Sequence, residues 1–262
     1  MKVLFWLIPF LFLWLPVAEG ASGDQTGQPA AGFIPILLYH RFGPTVADSM
    51  TVTTPVFEGH LKYLADHGYQ VIPLRALIES YLKREIPRDS RLVAITADDG
   101  HKSLYTEALP LLRKYKFPMT VFLYPSAISN ASYAMTWNQI REMKETGLFD
   151  FQSHSYWHPN FKKERERLRP AEFDKFVEMQ LRKSKEVLKR ELKAEVDMLA
   201  WPFGIHDGWL MNKAAEMGYV AAFTMDRHPA TPGDPRLALP RYLVADTDKG
   251  KAFARILTGN ER

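Results

Sequence analysis

Leu92-Val93-Ala94-Ile95-Thr96-Ala97-Asp98-Asp99-Gly100 carries an apolar run straight into two adjacent carboxylates and a glycine. If 92–97 is a buried strand, its successive side chains point to opposite sides. Once the chain turns at Gly100 the two acids cannot both stay in line with it, so one can face a metal and the other a bound water. In isolation Asp-Asp-Gly is an ordinary turn with two solvated acids. What lies downstream decides between the two readings.

On either side of this stretch, short apolar runs alternate with helix-period segments, the pattern of βα units and a parallel sheet. The expected strands are 34–39, 69–72, 92–97, 119–124, 149–153, 196–201, 219–224 and 241–245, which is a barrel-like count. Thr54-Pro55 sets a cap residue before a proline at the first helical position, with Phe57, Leu61 and Leu64 repeating on one face. Further helices are predicted around 105–112, 140–143 and 210–217. The longest is expected over 170–192, with Phe173, Phe176, Val177, Leu181, Val187 and Leu188 roughly along one side. The charged run 162–169 reads as solvated surface. With no fixed repeat, long linker or second core, the fold class is α/β and a single domain is expected over 33–258.

The 262 residues are 46% hydrophobic and 24% charged, as in an ordinary soluble globular protein. Lysine and arginine number 34 against 30 acidic residues, too small an excess to argue for nucleic acid. At the N-terminus Lys2 precedes an uncharged run over 3–18, broken by Pro9 and Pro16 and followed by Glu19 and Gly20. That pattern predicts a secretory signal over 1–20, with a retained N-terminal anchor as the alternative. Residues 21–32 read as a flexible spacer. Cysteine is absent, so no disulfide and no lipid-anchored cleavage site is expected.

In parallel barrels the chemistry gathers at the C-terminal ends of the strands. Four expected strands end in unusual residues: His40, Asp98 with Asp99, His154, and Trp201-Pro202-Phe203-Gly204. His154 and His158 stand four apart, a spacing that one helical turn would bring onto one face. Adding the Asp99 carboxylate gives two imidazoles and one carboxylate with a coordination position left open, as a catalytic ion requires. Zinc is the default expectation, and such ligands also accept cobalt, nickel or manganese. His60, His67, His206 and His228 read as ordinary core or surface residues, and His101, just after the Asp-Asp-Gly and near the cleft by position, is assigned no role.

Thr96-Ala97-Asp98-Asp99-Gly100 resembles the Thr-Phe-Asp-Asp-Gly motif of the polysaccharide deacetylases, the NodB-homology group or carbohydrate esterase family 4. His154 to His158 resembles their His-Ser/Thr-x-x-His motif, and Met135-Thr136-Trp137 fits as well. The resemblance implies a distorted (β/α) barrel, a divalent metal on Asp99, His154 and His158, and Asp98 as catalytic base. Two departures stand out. Ala200-Trp201-Pro202-Phe203-Gly204 keeps the proline, aromatic and glycine of the third motif but lacks its arginine, for which Arg241 is a candidate replacement; the alternative is a surface ion pair. The family's final Leu-x-His is missing from the C-terminal end, and Leu38-Tyr39-His40 at the end of the first strand would replace it by circular permutation. That arrangement resembles the poly-N-acetylglucosamine deacetylase branch; the alternative for His40 is a hydrogen-bonded core histidine.

The implied reaction is removal of N-acetyl groups from an N-acetylated polysaccharide, whether exopolysaccharide, chitin-like polymer or peptidoglycan. Asp98 would take a proton from water, a backbone N–H near Phe203 would hold the oxyanion, and His40 as imidazolium would protonate the leaving amine. Tyr124, Trp137, Tyr156, Trp157, Trp201 and Phe203 are candidates for a sugar-stacking floor, about half of them expected in the core. A catalytically idle carbohydrate-binding domain and an O-acetyl esterase are the alternatives. The signal and the resemblance together predict an exported monomer, periplasmic or extracellular, with no nucleic-acid partner and no stable membrane insertion after signal cleavage.

Overall fold

The computed structural model describes residues 34–259 apart from 84 and 86–90. The expected signal and spacer lie outside the described residues. In chain order the elements are β1 (Ile36–Tyr39), β2 (Arg41–Gly43), β3 (Thr51–Thr53), α1 (Thr54–Asp66), β4 (Gln70–Val71), α2 (Leu74–Lys83) and β5 (Leu92–Ala97). A π-turn at Leu104–Ala108 leads into α3 (Leu109–Tyr115), followed by β6 (Met119–Leu123), α4 (Trp137–Glu145), β7 (Phe149–Ser153), α5 (Phe161–Arg167) and α6 (Pro170–Leu192). Then come β8 (Met198–Ala200), a 3-10 turn at Pro202–Gly204, α7 (Gly208–Glu216), β9 (Ala221–Phe223), β10 (Tyr242–Leu243) and α8 (Lys251–Thr258).

Eight strands form one parallel sheet in the order β10-β1-β5-β6-β7-β8-β9, with β4 beside the start of β5. The segment before β10 joins the two edges: Leu239 bridges Phe223 in parallel, and three residues later Tyr242 pairs with Leu37 of β1. Pro240 stands between the two pairings and has no N–H for the ladder, so the ring closes through an interrupted strand. The fold is the distorted barrel that the resemblance implies, and its first and last strands are neighbours.

Alternation along the strands sorts the core into layers. Ile36, Ala94, Phe122, Ala200, Ala221 and Phe223 pack together in one cluster. Their sequence neighbours Leu37, Val93, Ile95, Val121 and Leu123 pack in another, with Phe57 and Leu61 of α1 and Leu112 of α3. Asp98 follows Ala94 and Thr96 in alternation, so it continues the row that faces the first cluster.

The helices differ from expectation in detail. Helix α1 is capped at Thr53 rather than Thr54, with no side-chain cap. The Thr53 hydroxyl instead donates to Asp246 at 2.7 Å and that of Thr54 to Glu107 at 2.8 Å. The charged run over 162–169 is largely helical: α5 starts at an Asn160 cap that accepts the Lys163 N–H at 3.0 Å. Helix α6 has the predicted bounds, and its buried face includes the polar Gln180 and Ser184.

His60 joins three elements. Its ring stacks on Phe253 of α8 at 4.1 Å, while its nitrogens meet the Tyr39 hydroxyl at 3.1 Å and the Asp248 carbonyl at 2.5 Å. Burial pushes its pKa down to about 4, against the pull of Asp248. Between that value and ~6.5 the unfolded chain binds a proton that the folded chain refuses, so this contribution to stability is complete above the window and lost as pH falls through it. We expect urea midpoints to fall from pH 7 to 4.5, and to fall less steeply in His60→Gln; an unchanged slope would assign the effect to other groups.

Candidate active site

Asp98 continues the line of β5, its N–H donating to the Tyr39 carbonyl at 3.0 Å. The chain then turns through two left-handed residues, Asp99 at φ 73° and Gly100 at φ 72°. A β-carbon on Gly100 would lie 2.6 Å from Leu123 Cδ2 and 3.1 Å from Ile128 Cδ1, so only glycine fits there. This turn separates the environments of the two acids.

Asp98 is 1% exposed and meets Arg241, which is fully buried. Nη1 donates to Oδ1 at 2.8 Å and Nη2 to Oδ2 at 2.7 Å, a two-pronged pair. Arg241 Nε donates to the Thr224 carbonyl at 3.0 Å, so the guanidinium also touches the end of β9. Burial pushes the Asp98 carboxyl up, but Arg241, its hydrogen bonds and His154 outweigh it and hold the pKa at about 2. Asp99 shifts the other way: burial raises it, with Asp98 adding to the rise.

His154 and His158 come together, though not by the expected helical turn. Ser155 at φ 62° and His158 at φ 61° bend the loop, and Pro159, which disfavours right-handed helix in the residue before it, keeps His158 out of a regular turn. The Nε2 atoms of His154 and His158 lie 3.6 and 3.7 Å from Asp99 Oδ1. These separations are long for hydrogen bonds and near the ~3.4 Å between two donors that each sit ~2.1 Å from a tetrahedral ion. One donor atom from each of the three residues falls within 4.8 Å of the others. His154 Nδ1 donates to the Ala200 carbonyl at 2.8 Å, which leaves Nε2 with its lone pair facing Asp99. Burial lowers both imidazoles, His154 to about 3, so they are neutral and competent as ligands. The donor set thus fits a divalent cation.

The remaining predicted residues divide. His40 follows β1, whose Tyr39 pairs with Ala97, so it stands beside Asp98 across the register. It is 7% exposed, its Nδ1 has no hydrogen-bond partner, and its pKa is lowered by burial against the pull of Asp98 and Asp99. Burial therefore disfavours the imidazolium in the resting site. Phe203 is 56% exposed, with its ring 4.5 Å from that of His158. Trp201 does not line the site: it is fully buried, its Nε1 donates to the Leu237 carbonyl at 2.8 Å, and its ring packs edge-on to Phe161. It belongs to the core and leaves the list of substrate contacts.

Sequence reasoning passed over two groups. Tyr133 hydrogen-bonds Tyr124, whose ring lies 5.3 Å from His158, at 2.6 Å between hydroxyls. Gln180 of α6 accepts the Trp157 N–H at 3.0 Å. Ser184, also on α6, meets Ser153 Oγ at 2.8 Å, and Ser153 Oγ in turn accepts the Ser155 N–H at 3.2 Å. Polar residues in phase with Val177, Leu181 and Leu188 were the available signal.

Residues 85–222 match the family described as polysaccharide deacetylase. The chain is 24% identical over 220 residues to the poly-beta-1,6-N-acetyl-D-glucosamine N-deacetylase of Staphylococcus aureus strain MRSA252, covering 82% of this chain and 75% of that protein. IcaB from Ammonifex degensii superposes with a TM-score of 0.76 at 25% identity, over 88% of this chain and 98% of that one. The Streptococcus pyogenes deacetylase PplD, in complex with acetate, gives 0.77 at 23% identity over 87% and 99%, a likeness of fold.

The loop that carries His158 is held by α6 through Gln180, which is fully buried. Gln180→Leu keeps the volume but leaves the Trp157 N–H unpaired. We expect the folded variant to bind zinc ~10-fold more weakly by chelator competition; wild-type affinity would show that the loop keeps its shape without the glutamine.

Proposed function

Because the chain belongs to the polysaccharide deacetylase family, we propose that it is a metal-dependent hydrolase that removes N-acetyl groups from a glucosamine-based polysaccharide, releasing acetate. The observation that carries this reading is the pair of adjacent carboxylates held apart by one left-handed residue, one against Arg241 and the other against two neutral imidazoles. The named activity of the Staphylococcus relative supports an N-acetylated glucosamine polymer as substrate. The N-terminal pattern of the sequence supports export to the periplasm or outside the cell.

Asp99, His154 and His158 would hold the cation, zinc by default. When bound, it would supply Lewis acidity, lowering the pKa of a water and polarising the acetamide carbonyl. The other steps fall to the chain. Asp98, kept ionised and oriented by both prongs of Arg241, accepts the proton of the attacking water. The Phe203 N–H, in a turn where Phe203 itself has φ 57°, donates to the developing oxyanion. His40 faces the same carboxylates with a free Nδ1; it would take a proton from solvent and deliver it to the leaving nitrogen, while Asp98 returns to solvent the proton it took from the attacking water. An amide needs that last step because its nitrogen leaves poorly unless protonated. The guanidinium of Arg241 on Asp98 stands where the third motif lacks its arginine, which weighs against the idle carbohydrate-binding alternative.

Asp98→Asn is expected to keep its fold and metal content and to release acetate from N-acetylglucosamine polymers ~10²-fold or more slowly. Full activity would remove Asp98 from the chemistry. His158→Ala should fold to the same circular dichroism spectrum and lose its metal by elemental analysis; wild-type stoichiometry would mean that other groups are the ligands.

A further inference from the structure

A second surface adjoins the site. Helices α6 and α7 each lead into the start of a strand, β8 and β9, so their first turns lie at the rim where the strands end. Phe173 stands in the first turn of α6 and Trp209 in that of α7, their rings 5.3 Å apart. Phe176 lies 6.5 Å from Phe173, and Trp157, from the loop between His154 and His158, lies 5.4 Å from Phe176. A row of rings thus leads from the metal-binding loop to Trp209. Its two ends face water, Trp157 at 47% and Trp209 at 38% exposure.

At the far end is a cleft of about 710 Å³ lined by Arg165, Leu168, Pro170, Phe173, Asp174 and Trp209. Charged groups are paired around it. Arg165 bonds Asp207 at 2.5 Å with its guanidinium 4.9 Å from the Phe173 ring, and Lys213 bonds Asp174 at 2.6 Å. A pyranose has an apolar C–H face and an edge of hydroxyl and acetamido groups. The indole matches the face, and the Arg165–Asp207 and Lys213–Asp174 pairs offer donors and acceptors to the edge. An apolar peptide would leave those charges facing hydrocarbon at a cost.

We propose that the Phe173–Trp209 cleft is a distal subsite for the polysaccharide, holding a sugar of the same chain whose reacting unit lies at Asp98. The occupant follows from continuity: the row of rings begins beside His158, and a polymer reaching the site must leave it across the rim. The proposal rests on the substrate class argued above.

The test is calorimetric titration of the zinc-loaded chain, in the Asp98→Asn background so that ligand is not consumed, with β-1,6-linked N-acetylglucosamine dimer and hexamer. The hexamer should bind ~5- to 10-fold more tightly than the dimer. Trp209→Ala should erase that gain while the dimer still binds, which also shows that the variant is folded, and Trp209→Phe should keep part of it. Equal affinity for both oligomers, or a gain that survives Trp209→Ala, overturns the subsite. Acetate release by the unmutated chain is scored separately. Release without a Trp209-dependent gain keeps the activity and removes the subsite; a Trp209-dependent gain without release does the reverse. A chain that binds neither oligomer and releases no acetate loses both.

Discussion

The buried pair between Arg241 and Asp98 is the constraint on which the rest depends. Arg241 lies immediately before β10, in the interrupted strand that closes the ring, and bonds the end of β9 through Thr224 as well as Thr96 and Asp98 on the β5 side. Phe122 and Phe223 lie 5.3 and 5.8 Å from the guanidinium, so the charge sits among apolar rings. Truncating either side chain would leave the other charge buried without a partner at a cost of ~3–5 kcal/mol, a cost that Asp98→Asn reduces by keeping an amide oxygen for the guanidinium. Asp98 is therefore in place only when the segment 239–243 has docked between β9 and β1. Closing the barrel and fixing the Asp98 carboxylate are one event.

A second consequence concerns the two acids. Adjacent carboxylates of like charge would ordinarily compete for one proton. Here the left-handed conformation of Asp99, a strain of ~1–3 kcal/mol for a residue other than glycine, turns its carboxylate away from Arg241 and toward the imidazoles. Their pKa values move in opposite directions as a result, Asp98 down and Asp99 up. Distinct environments for chemically identical groups are what the proposed division into a base and a metal ligand requires.

The barrel was legible in the sequence because parallel strands buried on both faces read as apolar runs, and all eight expected runs meet strands of the sheet within a few residues. Adjacency of His154 and His158 to Asp99 was legible from spacing and strand ends, but not the route: Pro159 replaces a helical turn with a bend. Trp201 was misread because a position at a strand end does not say which face a side chain takes, and its indole N–H is committed to Leu237. Arg241 was only half legible, since nothing local marks a contact across 143 residues. Helix α2 had a readable stripe in Leu74, Leu77 and Ile78 that went unused, whereas α5 buries only Phe161 and offers almost no periodic signal.

Gln180 and Ser184 show why polar residues on an apolar stripe carry information. A buried amide without partners is costly, so its place on α6 requires that something across the interface need it. What needs it is the loop over 155–158, where two left-handed residues expose backbone N–H groups that no strand or helix can satisfy. Gln180 takes the Trp157 N–H, Ser153 takes that of Ser155, and Ser155 Oγ takes that of His158. Ser184 and the Tyr219 hydroxyl both reach Ser153 Oγ, at 2.8 and 2.9 Å, which fixes that acceptor from α6 and from the segment between α7 and β9. The longest helix thus does more than cover the barrel: its buried face accepts the Trp157 N–H through Gln180 and anchors, through Ser184, the Ser153 hydroxyl that accepts the Ser155 N–H.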